Sequence, residues 1–129
     1  MTKQEFLAFS LPYGLKVKFI TDRIKPYYAT KYEAEFDTTI EVIKSTPILH
    51  PLTDLTKEIE HKGEKFMPII RLGWYINLRG WSESNTKFAI ENISFNDAKQ
   101  LIEWHFDIAG LIEKGEAIDV NTLETNPYK

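Results

Sequence analysis

The chain has 129 residues, 43% apolar and 27% charged, with a formal net charge of −3; this is the size and mix of one globular domain and excludes a disordered or collagen-like chain. There is no cysteine, which removes disulfides, thiolate metal sites and cysteine nucleophiles together. The first five residues are polar and no apolar run approaches the roughly 20 residues that cross a bilayer, so the sequence predicts a cytoplasmic protein with no membrane partner.

Thr2 and Glu5 form a capping-box pattern that opens a short helix carrying Phe6, Leu7 and Phe9. Pro12 and Gly14 end it. Residues 15–20 alternate apolar and polar with period two, the mark of a half-buried strand. Residues 27–32 and 35–43, rich in aromatic and β-branched side chains, predict two further strands of a meander, with Pro26 weakening the middle one towards an edge. Pro47 and Pro51 make residues 45–52 an expected extended crossover, neither helix nor central strand. One helical turn is expected at residues 53–58, then a hairpin turn at 61–64 joining Ile59 to Phe66 and Met67. Pro68 suits the first turn of a short helix with Ile69, Ile70, Leu72 and Ile76. Residues 86–93 resemble a final strand. Ser94 is a good N-cap for the strongest element, with Asn96 and Asp97 in its first turn. Projected at 100° per residue, residues 95–112 place Leu101, Trp104, His105, Ile108 and Ile112 within an apolar arc of about 200°, opposite Lys99, Gln100, Glu103 and Asp107. This helix is expected to run to Lys114 and stop at Gly115, with Gly110 either breaking it early or letting another backbone approach closely. The expected fold is α+β: one domain over residues 1–129, an antiparallel sheet of about five strands, one long C-terminal helix packed on a face, and short helices at the N-terminus and in the middle.

Candidate chemistry is sparse. His105 falls in the middle of the apolar arc and reads as a neutral, hydrogen-bonded core histidine. His50 lies between prolines and His61 in a turn, without the spacing of a metal-binding helix. No glycine pattern matches a phosphate loop, a dinucleotide fingerprint or a nucleophile elbow. The sequence therefore predicts no catalytic residue, no metal and no cofactor. The middle of the chain is mildly basic and the last third acidic. Lys62, Lys65, Arg71, Arg79 and Lys87 are interleaved with Trp74, Tyr75 and Trp81. Such a mixture suits either a protein anchor surface or contact with unpaired bases and phosphates. The expected partner-binding residues are Lys62, Lys65, Arg71, Arg79, Trp81 and Lys87.

Two stretches carry a resemblance. Residues 44–57, from Lys44 through Pro47, Pro51 and Leu55 to Lys57 and on to Gly63–Phe66, resemble a recurrent segment of small proteins encoded by phages and prophages of the Bacteroidota. Residues 101–115, Leu101 to Gly115, followed by Ala117 to Leu123, resemble the closing signature of the same proteins. The relatives are expected to carry arginine where this chain has His50. The family is mostly without assigned activity and implies no catalytic residues. It includes small, cysteine-poor prophage proteins, among them a suspected anti-CRISPR acting on the type VI-B RNA-guided RNA nuclease. The resemblance therefore implies a phage-encoded binding protein that inhibits a host defence effector, with guide RNA as part of the target. A nucleic-acid-binding accessory protein is the alternative, and a small enzyme comes third.

Overall fold

The computed structural model describes residues 2–10, 13–19, 24–26, 45–74 and 81–128. Helix α1 (Lys3–Ser10) opens with the expected capping box: the Glu5 N–H donates to Thr2 Oγ1 at 3.1 Å and the Thr2 N–H to Glu5 Oε1 at 3.3 Å. Its Phe6 and Leu7 are fully buried, while Phe9 stays 55% exposed. Strand β1 (Lys16–Phe19) lies within the alternating segment and pairs antiparallel with β2 (Ile24–Pro26). The strands expected at residues 27–32 and 35–43 lie outside the described residues.

Strand β3 (Ser45–Leu49) corrects the expected crossover. It pairs antiparallel with β1, Val17 opposite Pro47, and parallel with the two-residue strand β6 (Ile118–Asp119). The described sheet thus has order β2-β1-β3-β6, three antiparallel strands and a parallel addition. Pro47 is tolerated inside it because β6 reaches only Ile48 and Leu49. At the proline the strand has a β neighbour on one side alone among the described residues.

After a 3₁₀ helix (Leu52–Thr56) come β4 (Ile59–His61) and β5 (Glu64–Phe66), the expected hairpin. Its two turn residues both have positive φ, 52° at Lys62 and 79° at Gly63, as a type I′ turn requires. Helix α2 (Pro68–Arg71) begins on its proline, as expected. Helix α3 (Glu83–Glu91) replaces the strand expected at residues 86–93. Ser82 and Asn85 form a capping box that commits the segment to helix: the Ser82 N–H donates to Asn85 Oδ1 at 2.9 Å, and the Ser82 side chain accepts from the Asn85 N–H.

The long C-terminal helix is also corrected. Helix α4 (Phe95–Glu103) starts as expected, with the Asp97 N–H donating to Ser94 Oγ at 3.2 Å, but it ends eleven residues before Lys114. His105 has φ of 64°; its N–H donates to the Ile102 carbonyl and the Phe106 N–H to the Leu101 carbonyl, at 3.0 and 2.9 Å. This is the Schellman pattern, with histidine in the left-handed place usually held by glycine. Gly115 closes a separate turn in the same way, its N–H donating to Ile112 and that of Glu116 to Leu111. Asp107, expected on the solvent face, is buried and caps that turn, accepting from the N–H groups of Leu111 and Ile112 at 2.8 and 2.9 Å. The described architecture is therefore four short helices with two small sheets.

Two apolar clusters form the interior. The first gathers Phe6, Leu7, Leu15, Val17, Ile48 and Leu49 with Ile102, Leu111, Val120 and Tyr128. The second gathers Leu55, Ile59, Phe66, Leu101, Trp104 and Phe106. Neighbouring residues of α4, Leu101 and Ile102, face different clusters, which explains why its apolar arc is wide.

Candidate functional site: a groove beside helix α3 and a buried histidine cluster

The expected partner-binding residues separate into two settings. Lys62, Lys65 and Arg71 belong to the hairpin and α2. The Lys62 backbone N–H donates to the Tyr128 carbonyl at 3.0 Å while its side chain is exposed. Lys65 is exposed on β5 opposite Glu60. Arg71 is occupied within the fold: its guanidinium pairs with Glu64 and lies 4.0 Å over the Phe66 ring. Trp81 and Lys87 belong to a different place, the approach and middle of α3. Arg79 lies outside the described residues, as does Tyr75.

Trp81 and Lys87 line an open groove of about 760 Å³ between α3 and the Leu52–Thr56 turn. Leu52, Trp81 and Ile90 supply its apolar surface. The Trp81 indole is half-buried and its Nε1–H donates to Thr86 Oγ1 at 2.8 Å, which fixes the ring against the helix. The charges around it are mixed: Lys57 and Lys87 against Glu83, Glu91 and Glu113. Lys57 already has a carboxylate neighbour, Asp54 Oδ1 at 3.9 Å. Helix α3 buries none of its residues fully and exposes Phe88 by 68%. The glutamates and the turn residues were not marked by any motif; only topology brings residues 52–57, 81–91 and 113 to one place.

The second assembly is interior. His50, His61 and His105, on three separate elements, converge around Tyr128 and are all buried. The His105 ring stacks on Tyr128 with centroids 4.0 Å apart, His61 lies 5.4 Å from His105, and His50 lies 6.4 Å from Tyr128 and stacks on Phe106 at 5.1 Å. Backbone bonds hold the arrangement: the His50 N–H donates to the His105 carbonyl at 2.8 Å and the Asp107 N–H to the His50 carbonyl at 2.9 Å. His50 Nδ1 lies 3.0 Å from Asp54 Oδ2, and Asn121 Nδ2 donates to both oxygens of the same carboxylate. The Tyr128 hydroxyl accepts from the Lys16 N–H at 2.9 Å and donates to the Ile48 carbonyl at 2.6 Å, tying β1 to β3.

Three imidazole nitrogens in this cluster, His50 Nε2, His61 Nδ1 and His105 Nδ1, are buried with no hydrogen-bond partner among the described residues. The expectation of a core His105 thus stands for its burial, but its Nδ1 lacks the bond expected of it. Burial, then the neighbouring charges of His61, His50, Lys62 and Lys16, push the His105 imidazole down to about 3. Burial, Lys62 and His50 also lower His61, against the opposing carboxylates of Glu103 and Glu64. Burial raises the Tyr128 phenol, and the Lys16 backbone bond only partly offsets this. Burial would raise Asp54, but the hydrogen bonds from His50 and Asn121, with the charges of His50 and Lys57, outweigh it and hold the carboxyl below its ordinary value. Despite this convergence, no three histidine or carboxylate side chains among the described residues are placed to hold a metal ion together. The spacing His50 to Asp54 was a readable signal of the turn contact, whereas the histidine convergence and the role of Tyr128 had none.

Among the described residues no helix is long and apolar enough to cross a membrane. Comparison with protein-family models, curated proteins and solved structures finds no match to this chain.

Proposed function

We propose that the chain is a phage-encoded binding protein, not an enzyme, that inhibits a bacterial host-defence effector in the host cytoplasm. The type VI-B RNA-guided nuclease is the first partner to test: residues 44–57 and 101–123 resemble the phage family, and the chain resembles its suspected anti-CRISPR in small size and lack of cysteine. The observation that carries a binding role is the groove beside α3, where Trp81 and Lys87 flank an apolar surface open to a partner. Tryptophan fixed by a neighbouring hydrogen bond is a favoured anchor, because little rotamer freedom remains to be lost. The mixed rim favours a protein partner over nucleic acid. Glu83, Glu91 and Glu113 would repel a phosphate backbone, which needs a surplus of cations. The groups whose protonation burial displaces most, His105 and Tyr128, lie in the closed interior, where no substrate reaches them.

The test titrates the purified protein into a target-RNA cleavage reaction of the type VI-B effector. Inhibition should saturate at a fixed stoichiometry and be lost with Lys87→Glu, while the melting temperature stays nearly unchanged. Trp81→Ala should also abolish inhibition, with some loss of stability because the indole packs on α3. Absence of inhibition, together with RNA binding that weakens steeply between 50 and 200 mM salt, would turn the assignment to the accessory nucleic-acid protein.

A further inference from the structure

The groove does not use the histidine cluster, and the cluster surrounds a single clasp. Residues 118–128 are fastened to the rest of the chain by few links. Strand β6 pairs with β3 only at Ile118 and Asp119, and Asn121 bonds Asp54. Among the described residues the other bonds are made by Tyr128, through its hydroxyl to Lys16 and Ile48 and through its carbonyl to Lys62. Of the buried apolar core, this segment supplies Val120 and Tyr128.

We propose that His61 and His105 make this clasp an acid-operated latch, which on taking up protons releases residues 118–128 while α4 and its core remain folded. Two of the residues that hold the segment border a histidine: Asn121 shares Asp54 with His50, and Tyr128 lies face to face with His105. The groups facing the cluster come from every element packed on it. Lys16 of β1 and Lys62 of the hairpin oppose a further positive charge on His105; Glu64 of β5 and Glu103 of α4 favour one on His61; Asp54 faces His50. The Tyr128 face attracts an imidazolium but supplies no proton acceptor. The buried Nδ1 atoms of His61 and His105 have none either, so a proton arriving there is left unpaired. Swinging out a short segment held at a few points gives the rings access to water, at the loss of the buried Val120 and Tyr128 and of Ile118 and Leu123, half-buried against the first cluster. Opening the α4 core would expose the whole second cluster instead.

Hydrogen exchange of the intact chain, corrected for intrinsic rates, tests this at pH 7 and pH 5. A His105 with a folded value of about 3 and an ordinary value near 6.5 in the open state makes opening about twentyfold more favourable over those two pH units. Residues 118–128 should therefore lose about twentyfold in protection. At pH 5 they should exchange at least tenfold faster than residues 95–103, and with little dependence on added urea. His105→Asn, which suits the positive φ, should flatten most of this pH dependence with the segment still closed. Unchanged protection of the segment at pH 5 would overturn the latch. So would exchange at the same rate and with the same urea dependence as α4, which marks whole-molecule unfolding, or an undiminished drop in the asparagine variant.

Discussion

His105 occupies the left-handed capping position of α4, and its ring is 1% exposed against Tyr128. Two demands meet at this residue, a backbone that prefers glycine or asparagine and a pocket that needs a flat ring. Its burial was legible from the apolar projection of residues 95–112. The reason was not, because the projection assumed a helix that has already ended at that point. The folded imidazole lies far below its unfolded value, so its contribution to stability is full above about pH 6.5 and fades as pH falls towards about 3. From pH 7 to pH 5 the loss from His105 alone should be about 2 kcal/mol, measurable by urea unfolding at the two pH values. His105→Asp should destabilise by roughly 3 kcal/mol or more through a buried unpaired carboxyl, and His105→Asn by clearly less. At Tyr128, replacement by phenylalanine removes the hydroxyl that joins Lys16 to Ile48 and leaves the Lys16 amide short of that partner. A loss of about 1–3 kcal/mol follows, read from the same unfolding curves.

Helices and strands were legible where local chemistry and tertiary setting agree. The capping box at Thr2, the N-cap at Ser94, the proline start of α2 and the hairpin at residues 59–66 all follow from residue types at fixed offsets. Segment 86–93 misled because its aromatic and β-branched residues suit a strand, and the deciding signal, Ser82 with Asn85, lies upstream of it. With no fully buried residue on α3, that helix relies on its cap, so Ser82→Ala should destabilise it by about 1 kcal/mol. Circular dichroism should show a small helical loss, and inhibition through the adjoining groove should weaken with it. β3 misled for the opposite reason: Pro47 argues against a central strand until the short reach of β6 is known. In the hairpin, Lys62 adopts φ of 52° without the asparagine or glycine that suits it. Lys62→Asn should raise stability by a few tenths to about 1 kcal/mol, seen as a higher melting temperature.

Across the whole molecule, the two apolar clusters meet along the histidine seam: His50 stacks on Phe106 of one cluster and lies near Tyr128 of the other. That seam was illegible because its members, at positions 50, 61, 105 and 128, share no period or motif. Leu7→Ala in the first cluster and Leu55→Ala in the second should each cost about 2–5 kcal/mol. At pH 7 each variant should shift one common unfolding transition, since the seam couples the clusters; two separate transitions would show that it does not.

The Tyr128 clasp also bears on the order in which the chain is made. The phenol grips Ile48, a residue 80 positions earlier. At about 5–20 residues per second of synthesis, the paired β1 and β3 wait roughly 4–16 s for the side chain that joins them. During that interval the nascent sheet has Ile48 and Leu49 without their β6 partners, and His50 lacks the Tyr128 ring that later lies near it. A chaperone that recognises unpaired strands has its opportunity then.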